Sequence, residues 1–404
     1  MATPSGGDGA LSLPPYQLSE ELEQFRMDIR RMAENRFAPN AARWDENEEF
    51  PEENRQYLAQ EGYFGLLIPE AYGGLGGRLI QSVLLVEEVA RVCMNTATIC
   101  QIALHGPARA ITVLGNEEQK QRFLPKVVSG EVLFAISISE PDAGSAVTDL
   151  RTTAMPDGDG FVLNGSKCFT TLGNYCTHTL VFARFGKSEG PRGIGAVIVP
   201  ADAQGVRMGK PDKKMGGRGA PECEVFFDDV HIPREDVLVL GDAGNSEGFK
   251  KLMTSFGPER CGNAAMCLGL ANGAYDIAVA YAKERKQFGR PIMEFQGLQW
   301  KIADMATQIH ATRLMVYRGA LNEVDGFPDP RDTTLAKLFA NEMVQRVTNE
   351  AIQIHGHYGY TRSLPLERMY RDGRAYALGG GTTEILRNTI AAMEFGRSFD
   401  QRRA

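Results

Sequence analysis

Ile136-Ser137-Ile138-Ser139-Glu140-Pro141-Asp142-Ala143-Gly144-Ser145 is the stretch on which the reading of this chain turns. Its first residues alternate apolar and hydroxyl side chains as a strand does, and Pro141 and Gly144 then break the run into a turn. Exposed amides and hydroxyls in such a turn can hold the edge of a planar ring or a pyrophosphate without a charged side chain. Taken alone, the segment also reads as a decorated β-turn, and that alternative stays open at this point.

Outward from this stretch the texture changes on both sides. Toward the N-terminus, Ser19 can cap a helix whose apolar face is Leu22, Phe25, Ile29 and Met32, a spacing that returns to one side of a 3.6-residue repeat. Helices are expected at Glu53 to Glu61, Ile80 to Ala90, around Ala103 to Leu114 and at Glu117 to Val128, with glycine turns at Gly73-Gly74 and Gly76-Gly77. Strands are expected at Leu133 to Ser139, Gly160 to Leu163, Cys168 to Thr171, Thr177 to Phe185, Ile194 to Val199 and Cys223 to Phe227. Helical patterning resumes near Gly248 and runs to about Gly396, interrupted by a loop at Asp325 to Asp332. The order divides the chain into a loose tail at 1–15, a helical domain at 16–130, a β domain at 131–242 and a second helical domain at 243–404.

Composition removes several classes of function. Charged residues are 24% of the chain and the net charge is −7, so a surface for nucleic acid is not expected. The seven cysteines, at 93, 100, 168, 176, 223, 261 and 267, form no Cys-x-x-Cys pair and no zinc-like cluster, which predicts no metal and a reducing compartment. The first 15 residues lack the basic and apolar regions of a signal peptide and the arginines of a transit peptide. No window reaches the roughly 18 apolar residues that a membrane span needs. A soluble cytoplasmic protein is expected, or one of the mitochondrial matrix in a eukaryote.

Several motifs, in one order, resemble the acyl-CoA dehydrogenase family. Ser139-Glu140-Pro141 followed by Ala143-Gly144-Ser145 is similar to its first signature. Gly65 to Glu70 with Tyr72 to Gly76 resembles its N-terminal glycine turn, and Gly115 with Glu117 to Lys120 the helix start that follows. Lys214-Met215-Gly216, Arg218 and Phe226 to Pro233 resemble the end of its β domain. Glu284 to Gly289, Gln353 to Gly356 and Tyr358 to Tyr360 resemble its C-terminal motifs. The resemblance spans residues 18 to 396. It implies an α+β fold, with an N-terminal helical domain, a middle β-barrel-like domain and a C-terminal four-helix bundle.

The resemblance also implies a cofactor, FAD, and places for it. Ile136, Ser137, Ile138, Ser139, Gly144, Ser145, Phe169, Thr170 and Thr171 would hold the flavin ring. Arg285, Phe288, Gln296, Gln353, His355, Gly356, Thr382 and Glu384 would contact the adenine-diphosphate half, some of them from a neighbouring subunit. A homotetramer, or at least a dimer, follows. Read without the family, Arg285 is one cation of the solvated run Lys283 to Lys286, and His355 and His357 are packing residues.

One departure is informative. Most of the family carries its catalytic base in a Tyr-Glu-Gly-Thr-like motif, and here the matching stretch is Gly379-Gly380-Gly381-Thr382, with Gly380 where the glutamate would stand. Branches resembling isovaleryl-CoA and long-chain acyl-CoA dehydrogenases place the base just before an arginine in the first long C-terminal helix. This chain has Glu259-Arg260 there. Read without the family, Glu259 is a first-turn carboxylate beside Pro258, favoured by the helix dipole. With it, Glu259 is the catalytic base, Ser145, Arg260, Gly380 and Gly381 touch substrate, and the Gly380 N–H and the flavin ribityl hydroxyl receive the enolate oxygen. The implied reaction is α,β-dehydrogenation of an acyl-CoA, short, medium or branched, to the trans-2-enoyl-CoA, with electrons passed to an electron-transfer flavoprotein. A flavin-dependent oxidase or monooxygenase, and a catalytically silent partner subunit, are the alternatives.

Overall fold

The computed structural model describes residues 18–399 and 401, and the tail expected at 1–15 lies outside the described residues. Helix α1 (Glu20–Met32) starts where its capping residue predicts, with Ser19 Oγ accepting from the Leu22 N–H at 3.3 Å. Glu20, Glu21 and Glu23 in its first turn and Arg30 and Arg31 in its last complement the helix dipole. Helices α2 (Ala41–Glu46), α3 (Glu52–Gln60) and α4 (Leu79–Ala90) follow, α4 being buried on nearly every side. The single helix expected around Ala103 to Leu114 is in fact the end of α5 (Met94–His105) and all of α6 (Pro107–Leu114). Gly106 leaves helical geometry between them at φ −90° and ψ −134°, and Pro107 has no N–H to return to the preceding turn. Helix α7 (Glu117–Val128) is closed by a capping box between Asn116 and Gln119.

Eight strands then build one sheet: β1 (Phe134–Ser137), β2 (Thr153–Asp157), β3 (Gly160–Thr171), β4 (His178–Phe185), β5 (Ile194–Pro200), β6 (Val206–Met208), β7 (Glu222–Ile232) and β8 (Val237–Val239). Their order is β6-β7-β3-β2-β4-β5-β8, with β1 parallel to β4 alongside β2. The two strands expected at Gly160 to Leu163 and Cys168 to Thr171 are one strand, because register shifts around Gly165 and between Lys167 and Thr170 absorb the break. The expected strand Leu133 to Ser139 stops at Ser137. Strands β2, β6 and β8 went unanticipated, being short and without a repeating apolar face.

The rest is helical: α8 (Glu247–Ser255), α9 (Gly257–Glu284), a small hairpin of β9 (Lys286–Gln287) and β10 (Arg290–Pro291), α10 (Gln296–Leu321), α11 (Pro330–His355), α12 (His357–Tyr360), α13 (Leu366–Arg374) and α14 (Thr383–Phe395). Helices α9, α10 and α11 pack on one another and α14 lies along α11, which makes the four-helix group. Helix α4 also packs on α9, and closely. A Cβ at Gly269 or Gly273 would collide with the carbonyl oxygens of Glu87 and Arg91. One apolar core therefore runs from Ile29 through α4 and α9 to Met369, so the two helical regions share an interior. A second core joins α6 and α7 to the sheet, and a third lies within the sheet. No helix among the described residues is long and apolar enough to cross a membrane. The seven cysteines are all buried and unpaired.

Candidate active site

The first turn of α9 and the loop before α14 meet. A Cβ built on Gly380 would stand 3.1 Å from Glu259 Oε1 and 2.9 Å from Asn263 Nδ2, so the two segments singled out in the sequence are neighbours in space. Pro258 sits at the start of α9, where its missing N–H costs nothing, and Glu259 follows in the first turn with its side chain half-buried. Gly380 and Gly381 have φ of 64° and 92°, a left-handed backbone that a side chain at either position would strain. Arg260 is half-buried beside Glu259, while Ser145 is exposed in the turn after β1.

Glu259 is held by a buried polar chain that starts on α4. Asn263 Nδ2 donates to Glu259 Oε1 at 2.9 Å, and Gln101 Nε2 donates to the Glu259 carbonyl at 2.9 Å and to Asn263 Oδ1 at 3.3 Å. Gln101 Oε1 lies 2.7 Å from His105 Nδ1, and His105 Nε2 lies 2.8 Å from Ser82 Oγ. The donor pattern assigns the hydrogens. With the Gln101 amide donating twice, its oxygen needs a donor, so His105 carries its proton on Nδ1, and its bare Nε2 competes with the Leu79 carbonyl, also 2.8 Å from Ser82 Oγ, for the one Ser82 hydroxyl hydrogen. Burial, assisted by Arg109, pulls the His105 imidazole down to about 3 and keeps it neutral. Gly262 makes room for this chain, since a Cβ there would run into Gln101 Oε1 and His105.

Beside the same glycine loop stands Lys337 of α11, fully buried, its Cε 3.5 Å from where a Gly380 Cβ would lie. Its Nζ donates to the carbonyls of Gly379 at 2.8 Å, Gly381 at 3.0 Å and Tyr376 at 3.5 Å.

The turn after β1 is anchored by an ion pair. Lys167 of β3 reaches Ile138 O at 3.0 Å and Glu140 Oε1 at 2.8 Å, and Glu140 also accepts from the amides of Arg151 at 2.6 Å and Thr152 at 2.9 Å. Burial pushes the Glu140 carboxyl up, but Lys167 and the two amides outweigh it and leave the group below the usual carboxylate range. The hydroxyls of Ser137 and Thr170 are buried and bond each other at 3.0 Å, and Ser137 also meets Thr179 at 2.9 Å, so these side chains brace the sheet beneath the turn. Ile136, Ile138, Ser139 and Thr171 are half-buried around it. Phe169 holds φ at 56° and leaves its ring 67% exposed, an arrangement that makes physical sense when the ring borders a binding surface. Gly144 faces open space.

The residues expected at an adenine-diphosphate group sit on exposed elements. Arg285 caps the end of α9, Phe288 lies in the turn of the β9–β10 hairpin that follows and is 93% exposed, and Gln296 opens α10. Gln353 is exposed at the end of α11, and Gly356 ends that helix at φ 60°. His355, between them, is buried, with Nδ1 2.8 Å from Ala351 O and its ring stacked on Tyr281 at 4.1 Å. Thr382 caps α14, its hydroxyl accepting from the Ile385 N–H at 3.3 Å, and Glu384 is exposed in the first turn. Sequence reading missed Gln101, His105, Asn263, Lys167 and Lys337. Each is an ordinary polar residue in its own segment, and only Asn263, one helical turn after Glu259, stood at a spacing that could have flagged it.

Comparison with known proteins identifies the family. Family models described as Acyl-CoA dehydrogenase N-terminal, middle and C-terminal domains match residues 19–131, 135–230 and 246–394. Among curated relatives, a 3-sulfinopropanoyl-CoA desulfinase of Paraburkholderia xenovorans is 40% identical over 96% of this chain and 100% of its own length. The probable acyl-CoA dehydrogenase YngJ of Bacillus subtilis is 39% identical over 93% of this chain and 98% of its own. The solved structure of butyryl-CoA dehydrogenase from Megasphaera elsdenii superposes with a TM-score of 0.90 at 34% identity, covering 94% of this chain and 100% of that one. With all three domains matched in order, this chain belongs to the acyl-CoA dehydrogenase family of FAD-dependent oxidoreductases that act on acyl-CoA.

Proposed function

We propose that this protein removes a proton and a hydride from the α and β carbons of an acyl-CoA thioester, forming the trans-2-enoyl-CoA, with Glu259 as the base. The observation that carries the reading is the approach of Glu259 Oε1 to 3.1 Å of the position a Gly380 side chain would fill. A base entering from α9 thus reaches the place that most of the family serves from the loop. Asn263 orients the carboxylate through Oε1 and leaves Oε2 for the proton. Protons α to a thioester are too weakly acidic for a carboxylate alone, so a donor must meet the carbonyl oxygen, and the Gly380 N–H fills that role. Loss of the glutamate side chain leaves that backbone donor in place.

The residues present fit FAD. The turn from Ile136 to Ser145 offers uncharged amides and hydroxyls beside the exposed Phe169 ring, and Thr382 to Glu384 open a helix whose N-terminus suits a pyrophosphate. When bound, FAD supplies the acceptor for the β-hydrogen as hydride. Arg285, Phe288, Gln296, Gln353 and Gly356 would hold the far half of the cofactor, in a homotetramer that shares it between subunits. Electrons would leave to an electron-transfer flavoprotein, and a short, medium or branched acyl chain suits the reading.

Purified protein should be yellow with one FAD per chain, and its flavin should bleach anaerobically with members of a graded acyl-CoA panel. Rapid oxygen consumption with the same thioesters would move the assignment to an oxidase, and a flavin that none of them bleaches would move it to a silent subunit.

A further inference from the structure

The glycine loop has its anchor in Lys337, and the anchor decides where one amide points. The peptide joining Gly379 to Gly380 is trans, so its C=O and N–H face opposite ways. Lys337 Nζ holds the Gly379 oxygen at 2.8 Å on the buried side. The Gly380 N–H is therefore turned to the opposite, exposed side of the loop. The bond to Gly381 O at 3.0 Å fixes the peptide from Gly381 to Thr382 as well, so the left-handed pair Gly380-Gly381 is clamped at both ends by one ammonium. A cation on a carbonyl also draws electron density through the amide and makes its N–H a stronger donor.

We propose that Lys337 is a positioning residue for catalysis, orienting and polarising the Gly380 N–H that receives the thioester oxygen while Glu259 takes the α-proton. The proposal rests on the reading of Gly380 and Glu259 given above. Lys337 acts through the peptide and touches no reacting atom.

The charge on Lys337 is conditional. Burial lowers its ammonium to about 8, the Glu259 carboxylate and the Cys267 thiol on α9 oppose that fall, and Arg260 adds to it. Below that pH, three N–H groups face three carbonyls. Above it, one donor and the polarising charge are lost.

Lys337→Met keeps the apolar stem and removes the ammonium. Acetoacetyl-CoA is a suitable probe, because its enolate, held against oxidised flavin, gives a long-wavelength absorption without needing the base. In Lys337→Met holoenzyme this thioester should still bind, but the pH at which the band is half-formed should rise by about one unit or more. Flavin reduction by butyryl-CoA or isovaleryl-CoA should fall about 10- to 100-fold at saturation, with little change in the concentration for half-saturation. Lys337→Arg, permanently charged, should keep the band and remove the decline of the rate above about pH 8. A Lys337→Met enzyme with the parent's band, pH midpoint and rate overturns the proposal. If that variant does not fold, an alkaline decline that persists in Lys337→Arg overturns it instead. The underlying reading fails differently: it would give parent enzyme with no enolate band, or Glu259→Gln enzyme that reduces its flavin at the parent rate.

Discussion

Lys167 in the sheet and Lys337 in the helical bundle are both fully buried and both aim a peptide, yet their charges meet different partners. Lys167 has a carboxylate partner, Glu140 at 2.8 Å, as well as the Ile138 carbonyl at 3.0 Å. Among the described residues Lys337 makes its hydrogen bonds only to backbone carbonyls, while Glu259 bonds Asn263. In each case burial draws the lysine down to about 8. By the same trans-peptide geometry, pinning Ile138 O turns the Ser139 N–H away from Lys167. The difference lies in what each arrangement leaves free. The sheet uses its carboxylate to hold a turn, whereas the bundle leaves Glu259 Oε2 free for the proton it is proposed to take.

The largest effect expected from this contrast is kinetic. Glu259→Gln should lower flavin reduction by roughly 10² to 10⁴, the usual loss for a general base, while unfolding midpoints and FAD content stay near the parent's. Stopped-flow reduction with the best acyl-CoA of the panel checks it, and a parent-like rate would return Glu259 to a helix-start carboxylate. The corresponding change in the sheet should act on stability. Glu140→Gln leaves the buried Lys167 without its counter-charge and should cost about 3 kcal/mol in urea unfolding, with FAD retention falling as the turn loosens. Equal stability of the two variants would erase the distinction between a structural and a chemical carboxylate.

A smaller effect is expected at Gly380. Alanine there must accept φ of 64° and a Cβ 2.9 Å from Asn263 Nδ2, which should cost about 1–2 kcal/mol and reduce the rate by displacing the clamped amide. Chemical denaturation with parallel rate measurement reads both. A further effect concerns pH. His105, held near 3 against an ordinary 6.5, refuses a proton that the unfolded chain accepts, so its part of the stability is full above about 6.5 and is lost as the pH falls toward about 3. His105→Gln should flatten that part of the acid slope. Urea midpoints at pH 7 and pH 4 measure it, and an unchanged slope would mean that His105 titrates normally.

The helical ends and the central strands were legible because each rests on a local signal. Ser19 caps α1 through a residue three positions on, and the apolar run Ile194 to Val199 reads as a buried strand without reference to its neighbours. The break at Gly106-Pro107 was equally local, and was overlooked because apolar spacing continues across it. Strands β2 and β8 carry too little pattern of their own and exist because the sheet offers partners.

The same division holds in the candidate site. Sequence alone determined the family, and it displayed both the glycine at 380 in the loop and the Glu259 proposed to compensate for it, since motifs are contiguous and their order survives without coordinates. Only the tertiary structure decided how those residues are held. The chain Ser82–His105–Gln101–Asn263–Glu259 draws on three helices, and the Lys337 clamp joins α11 to the loop before α14. Hydrogen bonds of this kind depend on distances of about 3 Å between residues far apart in the chain. No spacing in the sequence encodes them, because burial creates them when α4, α5, α9 and α11 close on a common core and each polar group left inside must find a partner.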